Sequence, residues 1–364
     1  MNLNLQSSTQ NRIRVLFLYY ELAGYNVACF KKLTELFPVE VHVVRKPHDP
    51  HAPFDFKDHD DIHYYQRNSF TALQLIELAE SLNPAFIFCS GWMEKDYLNT
   101  CRHFRGKIPT VLGLDNSWEG TFKQFVFTAL SPLYLKRYFS HVWVPGLPQE
   151  QYAMKLGFKP YQIFTGFYAA NVEWYRKFYL QFREEKKAKF PHVILYVGRY
   201  LELKGVAEMW QAFIEFQHQH PNDWELWCVG RGDLAFPEHP KIKNFGFIQP
   251  DGMHEFIEKA GVLILSSRKD HWGMTVHEFA SAGFPLLCSD KTYAITAFLK
   301  DGYNGYVHKA SDKKSIIEAL HRLVNTPDET LFEMGDRSAE LATKITDETW
   351  AETAWNIAQL KMKR

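Results

Sequence analysis

The sequence lacks any run of about 20 apolar residues, the length that a membrane-spanning helix needs, so no membrane span is predicted. It also lacks an excess of charge of either sign, since 42 basic residues balance 42 acidic ones. Without a net positive charge, no general attraction to nucleic acid is expected, and no nucleic-acid partner is predicted. The 364 residues contain no internal repeat, and their number suggests two domains of ordinary size.

Cysteine is also scarce, and its pattern does not suit a disulfide framework. The five cysteines are scattered and lie mostly inside apolar runs: Cys29, Cys89, Cys101, Cys228 and Cys288. An odd number at wide spacing predicts reduced thiols, and the polar first residues contain no apolar signal core. These features together predict a cytoplasmic protein.

The sequence does contain a regular alternation of short apolar runs with amphipathic segments, which is typical of α/β folds with mainly parallel sheets. Ten candidate strands form two groups: 14–20, 39–45, 85–91, 109–115 and 141–146, then 192–200, 224–232, 242–248, 261–267 and 284–290. The charged, aromatic stretch 173–191 is predicted to be a hinge. We therefore expect a first domain over 1–172 and a second over 192–346, with ligands between the carboxyl ends of their strands.

The last segment, 347–364, has the apolar spacing of an amphipathic helix, with Asp347 as a plausible N-cap. Such a helix would hide its apolar face against one of the two domains. It would therefore either complete the second domain or cross back to the first.

Two cations follow the first candidate strand of the second half. In the stretch YVGRYLELKG, the strand ends at Gly198, Arg199 and Lys204 come next, and a helix begins near Gly205. Free backbone N–H groups at a helix start favour negative charge, as do the two cations, so this motif predicts an anion site. The alternative is that both cations are solvated on a surface loop.

Two carboxylates follow the candidate strand 261–267. Asp270 would lie on the loop at the end of that strand, and Glu278 about one turn into the next helix. The backbone N–H groups of Gly273, Met274 and Thr275 would point into the cleft at the helix start. Carboxylates accept hydrogen bonds from vicinal hydroxyls, so the pair suits a sugar and a ribose. The alternative is a loop acid and a solvated helix residue.

The order of these motifs, together with CVGRGDL, FGFI and FASAGFPLLCSD, resembles that of the retaining glycosyltransferases of family 4. The resemblance is strong across about 190–310 and weak across 1–170. It implies an α/β protein of the GT-B architecture, in which two Rossmann-like domains with parallel sheets face a central cleft. It further implies a nucleotide-sugar donor that is bound without a metal ion or another cofactor.

The resemblance also implies roles for individual residues. Arg199 and Lys204 would hold the donor diphosphate and assist its departure, while Asp270, the third catalytic candidate, would contact the donor sugar. Glu278 would bind the ribose of the nucleotide. The remaining donor-binding candidates lie beside the phosphates, the sugar or the nucleobase: Gly24, Gly198, Gly205, Phe247, His271, Trp272, Gly273, Met274 and Thr275.

Several departures from the family pattern affect this interpretation. Asp270 stands where the family usually has a glutamate, and it is one methylene shorter. After the strand 109–115 the family often carries a histidine, whereas this sequence reads Leu114, Asp115 and Asn116. Asp115 and Asn116 are therefore candidates for contacting the sugar or the acceptor.

The resemblance therefore implies a metal-independent, retaining glycosyltransferase. It would move a sugar from a nucleotide diphosphate donor to a hydroxyl group of a glycan, a lipid-linked molecule or a small molecule. One alternative is a nucleotide-sugar epimerase on the same fold. Another is a non-catalytic nucleotide-sugar binding protein, which the altered motifs of the first half would suit.

Two further segments each allow a second interpretation. A histidine- and aspartate-rich stretch contains possible metal ligands, although a polar surface loop is favoured: His48, His51, Asp58, Asp60 and His63. The segment 121–139 is rich in Phe, Tyr and Leu and includes three cations, so it is either buried core or a helix on a bilayer surface. The second interpretation would place the protein at the inner face of the membrane and suit a lipid-linked acceptor.

Overall fold

The computed structural model describes residues 12–46 and 59–360, which form two parallel sheets with layers of helices. The first sheet has seven strands: β1 Ile13–Tyr19, β2 Val39–Arg45, β3 Ile62–Gln66, β4 Ile87–Cys89, β5 Thr110–Gly113, β6 His141–Trp143 and β7 Ile163–Phe164. The second has six: β8 Val193–Val197, β9 Glu225–Val229, β10 Ile242–Gly246, β11 Val262–Leu265, β12 Leu286–Ser289 and β13 Gly305–His308. The predicted α/β architecture with two parallel sheets is confirmed.

Helices follow most of the strands. Those of the first half are α1 Gly24–Leu36, α2 Ala72–Leu82, α3 Lys95–Phe104, α4 Phe122–Tyr134, α5 Leu147–Lys155 and α6 Val172–Ala188. Those of the second half are α7 Val206–Gln219, α8 His254–Lys259, α9 Met274–Ser281, α10 Ile295–Phe298, α11 Lys313–Val324, α12 Asp328–Ala342 and α13 Asp347–Ala358. They cover both faces of each sheet, which explains why the strands are continuous apolar runs rather than alternating ones.

The order of the strands reverses once in each sheet. The first sheet runs β3-β2-β1-β4-β5-β6-β7 and the second runs β10-β9-β8-β11-β12-β13. The reversals therefore lie between β1 and β4 and between β8 and β11. In open parallel sheets, ligands bind outside the carboxyl ends of the strands at such a reversal. Each sheet thus has one position where the topology favours a ligand.

All ten predicted strands are present, most of them shorter than predicted. Three strands, β3, β7 and β13, had not been predicted. They have five, two and four residues, and only β13 is mostly buried, so their apolar patterns are too short to be recognised. The five cysteines are free and buried, as the sequence predicted.

The stretch 173–191, predicted as a hinge, lies mostly in α6. Tyr175, Phe182 and Phe190 join the core of the second sheet, and Arg183 pairs with Asp336 of α12 at 2.7 Å. The charges that suggested a linker lie mostly on the exposed face of this helix. An amphipathic helix with a strongly charged outer face therefore resembles a linker when only its composition is considered.

The helix α13 crosses back to the first sheet and packs against α1. Trp350 is buried there, and its indole N–H donates to the Phe167 carbonyl at 2.9 Å. The helix is capped by Thr346, whose Oγ1 accepts from the Thr349 amide at 3.1 Å. Asp347, predicted as the cap, is instead the first helical residue. This helix fastens the end of the described chain to the first domain.

The segment 121–139 is mostly exposed, and only its end, with Leu135 and Phe139, joins the core of the first domain. It forms α4 and a short helical turn, Leu135–Arg137, and the side chains of Phe122 and Leu133 are 83% and 73% exposed. Ser131 is the only residue of α4 that is buried. None of the helices in the described ranges is long and apolar enough to cross a membrane.

The predicted metal candidates fall partly outside the described residues, because His48, His51 and Asp58 lie in the gap from 47 to 58. Asp60 is exposed on a turn. His63 lies in β3, where its neighbours come from β2. The structure therefore does not bring Asp60 and His63 together as ligands of one site.

Candidate functional site

The start of α7 brings the chain after β8 close to the loop after β11. Gly205 caps this helix with φ +62°, and a Cβ added there would lie 1.9 Å from the carbonyl oxygen of Ser266. A side chain would therefore be excluded both by the conformation and by the contact. The approach positions Lys204, the preceding residue, against the β11 loop.

Lys204 and Asp270 form an ion pair at the reversal between β8 and β11. The Lys204 ammonium lies 2.6 Å from Asp270 Oδ2, and the two side chains are only 22% and 11% exposed. The Ser267 hydroxyl donates to the same oxygen at 3.4 Å. The Asp270 amide donates to the Lys291 carbonyl at 2.9 Å, which fixes the loop. Lys204, predicted to bind phosphate, and Asp270, predicted to contact the sugar, are therefore in direct contact.

The start of α9 faces the same position. Gly273 caps the helix with φ +94°, and a Cβ there would lie 2.7 Å from the Thr292 methyl group. Thr275 is half-buried, and its hydroxyl donates to the Val197 carbonyl at 3.4 Å, at the end of β8. Met274 beside it is also half-buried. The free amide groups of this helix start therefore lie near the end of β8, where they can favour an anion.

Arg199 and Gly198 follow β8 directly. The Gly198 amide donates to the Val229 carbonyl of β9 at 3.0 Å, and the Arg199 carbonyl accepts from the Tyr196 hydroxyl at 2.9 Å. Arg199 itself is half-buried. The backbone of this turn is thus fixed by the sheet, and the arginine is placed at the same reversal as Lys204.

Glu278 lies deeper along α9 and is hydrogen-bonded to Tyr175 of α6. Burial raises the pKa of Glu278 to about 7, and the Tyr175 hydrogen bond partly opposes this shift. The side chain is half-buried by its surface exposure, so the loss of water contact is incomplete. A carboxyl group with this pKa changes its charge close to neutral pH. Its charge also helps to raise the pKa of Tyr25 in the first domain.

His271 and Trp272 form contacts between the two domains. The His271 carbonyl accepts from Gln149 Nε2 of α5 at 2.6 Å. The Trp272 side chain is buried, and a Cβ added at Gly146 would lie 2.7 Å from its ring. Lys269 pairs with Glu119 across the same gap. The side chain of Trp272, predicted near the donor, therefore packs on the first domain, and its donor contact stays a prediction.

Gly24 and Phe247 lie on opposite sides of the gap between the domains. Gly24 begins α1, and a Cβ there would lie 3.4 Å from the Pro250 ring. Phe247 is half-buried, with the Arg231 guanidinium 5.5 Å from its ring centroid. The first-domain loop thus reaches the segment predicted to lie near a nucleobase.

The predicted first-domain residues Asp115 and Asn116 lie in a cluster with two tyrosines. Tyr168 donates to Asp115 Oδ2 at 3.1 Å, and Asn116 Nδ2 lies 3.4 Å from Asp115 Oδ1. The Tyr25 ring meets the Tyr168 ring edge-on at 5.6 Å. Burial and the Asp115 charge raise the pKa values of both tyrosines. The cluster places hydroxyl and carboxylate groups, rather than a histidine, opposite the second domain.

Sequence reasoning missed four residues of this region: Tyr25, Tyr168, Tyr175 and Arg231. Tyr175 was assigned to a linker, although its buried neighbours Val172 and Phe182 repeat at helical spacing. Arg231 follows a predicted strand, in the stretch CVGRGDL, and was therefore detectable as a cation at the carboxyl edge. The two remaining tyrosines had no local signal, because their partners are distant in the chain.

One stretch of the chain contains Arg199, Lys204, Asp270 and Glu278 together. Residues 179–341 match the family model described as "Glycosyl transferases group 1". The match begins within α6 and ends within α12, so it covers the second domain and leaves Gly24 and the Asp115 cluster outside. None of the curated proteins matches the chain.

Solved structures extend the similarity to both domains. HepE from Anabaena in complex with UDP and glucose has a TM-score of 0.70 at 13% identity, over 96% of this chain and 100% of that chain. "Trehalose-6-phosphate from E. coli bound with UDP-2-fluoro glucose" has a TM-score of 0.71 at 10% identity, with the same coverage. Sucrose-phosphate synthase from Thermosynechococcus elongatus has a TM-score of 0.69 at 14% identity, over 95% and 98%. These likenesses establish the GT-B fold, two Rossmann-like domains about a central cleft.

Proposed function

We propose that the protein is a glycosyltransferase that moves a sugar from a nucleoside diphosphate donor to a hydroxyl acceptor. The observation that carries this proposal is the Lys204–Asp270 ion pair of 2.6 Å at the reversal between β8 and β11. The pair places a lysine that can bind phosphate beside a carboxylate that can accept hydrogen bonds from sugar hydroxyls. Both lie where the topology favours a ligand. The surrounding stretch also matches the glycosyltransferase family model.

The donor would lie along the carboxyl edge of the second sheet. Lys204, Arg199 and the start of α9 would face the diphosphate, Asp270 would face the sugar, and Glu278 would accept hydrogen bonds from the ribose. As the bond from the sugar to the diphosphate breaks, negative charge grows on the leaving oxygen. Fixed cations and amide groups beside that oxygen stabilise the transition state more than the ground state.

The transfer is proposed to retain the configuration of the sugar. The acceptor oxygen would bond to the anomeric carbon on the face that the diphosphate leaves, and its proton would pass to the leaving phosphate oxygen. This route needs no separate protein base. It agrees with the edge of the second sheet, where the predicted groups near the phosphate are cations and amides.

Metal independence is part of the same proposal, because Lys204, Arg199 and a helix start supply the positive field that a divalent ion would otherwise supply. Activity is therefore expected to survive EDTA. Loss of activity in EDTA that manganese restores would contradict this part of the proposal.

The acceptor is proposed to bind at the reversal of the first sheet. A cavity of about 200 Å³ lies there, beyond β1 and β4, lined by Tyr20, Ser90, Gly91, Met93, Glu94 and Tyr97. Tyr20 is 52% exposed, and Glu94 accepts from Lys46 at 2.7 Å. An exposed aromatic face beside hydroxyl and carboxylate groups suits a polyhydroxylated molecule.

The helix α4 is proposed to rest on an anionic bilayer surface. Its exposed apolar side chains include Phe122, Phe125, Leu130 and Leu133, and no acidic residue occurs between 120 and 149. Cations lie at both ends of the helix, so the surface is apolar with a positive rim. The ring of Phe127 of α4 packs at a tilt against the Trp92 ring, with 5.4 Å between centroids, beside the loop of the proposed acceptor cavity. A lipid-linked acceptor would therefore meet the cavity at the membrane surface.

Vesicle sedimentation tests this surface. The wild-type protein should sediment with anionic vesicles, and replacing Phe122 and Leu133 with serine should abolish most of that binding. Leu73→Ser is a matched control, since Leu73 is 65% exposed on α2 in the same domain. Wild-type protein that stays in the supernatant at low salt would show that α4 does not bind membranes.

A screen of nucleotide sugars by thermal shift tests the central proposal, since a ligand that binds only the native state raises the melting temperature. Uridine diphosphate glucose comes first, because two of the similar structures contain UDP with glucose or a fluoroglucose. Product analysis then follows with the donor that binds. A glycoside, or slow hydrolysis of the donor, supports transfer. A free epimerised donor would indicate an epimerase, and tight binding without turnover a binding protein.

A further inference from the structure

A cluster of two histidines and a glutamate lies on the first sheet. It is in the amino-terminal half of β2, away from the carboxyl edge of the sheet. Glu40 and His42 are two residues apart on β2 and so share one face of the sheet. His63 of the edge strand β3 is the register partner of His42. The three side chains therefore meet on one face, at the outer edge of the first domain.

The ligand atoms of this cluster converge on one oxygen. Glu40 Oε1 lies 2.8 Å from His63 Nε2 and 3.5 Å from His42 Nε2. One nitrogen or oxygen atom from each side chain lies within 4.8 Å of the other two. In a tetrahedral zinc site, neighbouring ligand atoms are about 3.4 Å apart, as follows from zinc–ligand distances near 2.1 Å. Small side-chain rotations would therefore suffice to place all three around one ion.

The two Nε2 atoms have no hydrogen bond to any group in the described part of the chain. The 2.8 Å contact of His63 with Glu40 is short, but it does not have hydrogen-bond geometry. His42 is only 4% exposed, so its Nε2 is shielded from water as well. A buried ring nitrogen without a partner is costly, and here it points at a carboxylate oxygen that a second imidazole also approaches.

We propose that Glu40, His42 and His63 bind a divalent transition-metal ion, with zinc as the best match. Two imidazoles and one carboxylate are ligands that zinc prefers, and three protein ligands leave a fourth position for water. The ion would join the edge strand β3 to β2. Its function would be to stabilise the first domain rather than to take part in sugar transfer.

The surroundings of the cluster orient its ligands. The Tyr65 hydroxyl lies 3.0 Å from His42 Nδ1 and so can hold the tautomer that leaves the Nε2 lone pair free. Arg14 Nε donates to Glu40 Oε2 at 3.1 Å, which leaves Oε1 turned towards the histidines. A metal ion on Oε1 is compatible with this pair, because the two cations would use different oxygens of one carboxylate.

Zinc titration of the full chain, stripped of metal by a chelator, tests the proposal. We expect one zinc ion per chain, measured by competition with a chromophoric chelator, and a higher melting temperature with zinc. Cobalt(II) in the same site should give the visible absorption of a four-coordinate ion. Wild-type protein that binds no zinc at neutral pH would overturn the proposal.

Substitutions at the cluster test whether these residues are the zinc ligands. His63→Gln should weaken zinc binding by at least about a hundredfold, and Tyr65→Phe by about tenfold, as loss of an orienting partner does. His63 is the variant of choice because its side chain is 39% exposed, so its replacement should not prevent folding. His220→Ala is the control, since the His220 ring packs against the rings of Phe216 and His321, at 5.5 and 5.3 Å, away from this cluster. Equal zinc binding by wild type and His63→Gln would overturn the assignment.

Discussion

The carboxyl edges of the two sheets have the same topology but opposite chemistry. Beyond β8 and β11, the second sheet presents Arg199, Lys204 and the start of α9. Beyond β1 and β4, the first sheet presents Tyr20, Ser90 and Glu94 around a cavity of about 200 Å³. One edge is proposed to hold the diphosphate of the donor, whereas the other offers hydroxyls, an aromatic face and a carboxylate. The strand order therefore favours a ligand at the same place in both sheets, and the side chains there differ.

Each edge contains an acid that is paired with a lysine. Asp270 pairs with Lys204 at 2.6 Å, in a half-buried position that a phosphate would compete for. Glu94 pairs with Lys46 at 2.7 Å, and Asp115 accepts from Tyr168 at 3.1 Å. Since Lys204 is the cation proposed to hold the diphosphate, we expect its removal to have the largest effect.

Lys204→Ala should lower turnover by about a hundredfold or more, because a fixed charge beside the leaving group is lost. Arg199→Ala should have a comparable effect. Steady-state rates with the donor found by the thermal-shift screen provide the measurement. Lys313→Ala is the control, since Lys313 pairs with Glu215 on the surface at 2.7 Å. Near-normal rates in both site variants would remove the phosphate role from this edge.

Replacing the two carboxylates of the second edge should affect different kinetic parameters. Asp270→Asn should lower turnover by about tenfold or more while nucleoside diphosphate binding changes little, because the sugar is the part that reacts. Glu278→Gln should mainly raise the donor KM. Calorimetry with the nucleoside diphosphate and with the whole donor separates these effects. If both variants lose diphosphate binding equally, the proposed positions of sugar and ribose are incorrect.

Nucleoside diphosphate binding should strengthen several-fold as the pH rises from 6 to 8, because burial raises the pKa of Glu278 to about 7 and the charged form is the stronger acceptor. Stability should change in the opposite direction. The ordinary pKa of a glutamate is 4.5, so the folded protein binds the Glu278 proton more tightly than the unfolded chain does. The contribution of Glu278 to the free energy of unfolding therefore falls as the pH rises from about 4.5 to 7.

Glu278→Gln provides the comparison for both measurements. In this variant the pH dependence of diphosphate binding should largely disappear. Its free energy of unfolding, relative to wild type, should rise between pH 5 and 8 by an amount on the order of 1–3 kcal/mol. Identical pH profiles for the two proteins would show that another group titrates.

Among the five site variants, Glu94→Gln should have the smallest effect, a rise in acceptor KM of about threefold to tenfold with donor affinity unchanged. A carboxylate at the edge of an open cavity contributes one hydrogen bond to a hydroxyl and is partly solvated. Glu80→Gln is the control, since Glu80 contacts His103 on an exposed helix face at 2.8 Å. A change in donor affinity instead would indicate that the two edges do not bind separate substrates.

The second domain was more predictable from sequence than the first. Its strands are near-continuous apolar runs, and the groups at its edge come from two short stretches, 198–205 and 270–278. In the first domain the predicted Asp115 lies beside Tyr25 and Tyr168, which no local pattern connects to it. A short motif thus predicts site residues that lie close together in the chain. It does not predict neighbours that come from distant parts of the sequence.

Helices with strong charge or strong apolar character were harder to interpret than strands. The stretch 173–191 was predicted as a hinge, because its charged outer face dominates its composition, although Tyr175 and Phe182 face the core. In 121–139, composition could not separate core from surface, and only the structure shows Phe122 and Leu133 exposed. Composition alone does not show which side of a helix has a neighbour.

The sequence by itself determined the alternation of strands and helices, the reduced state of the cysteines and the anion-favouring chemistry of the 198–205 turn. These properties depend on residues near one another in the chain, so apolar periodicity and glycine placement express them directly. Only the tertiary structure decided that Tyr175 meets Glu278, that Trp272 packs on Gly146, and that the imidazoles of His42 and His63 converge on Glu40. Such contacts depend on the order of strands in the sheets and on the packing of the two domains. A local sequence pattern predicts neither of these.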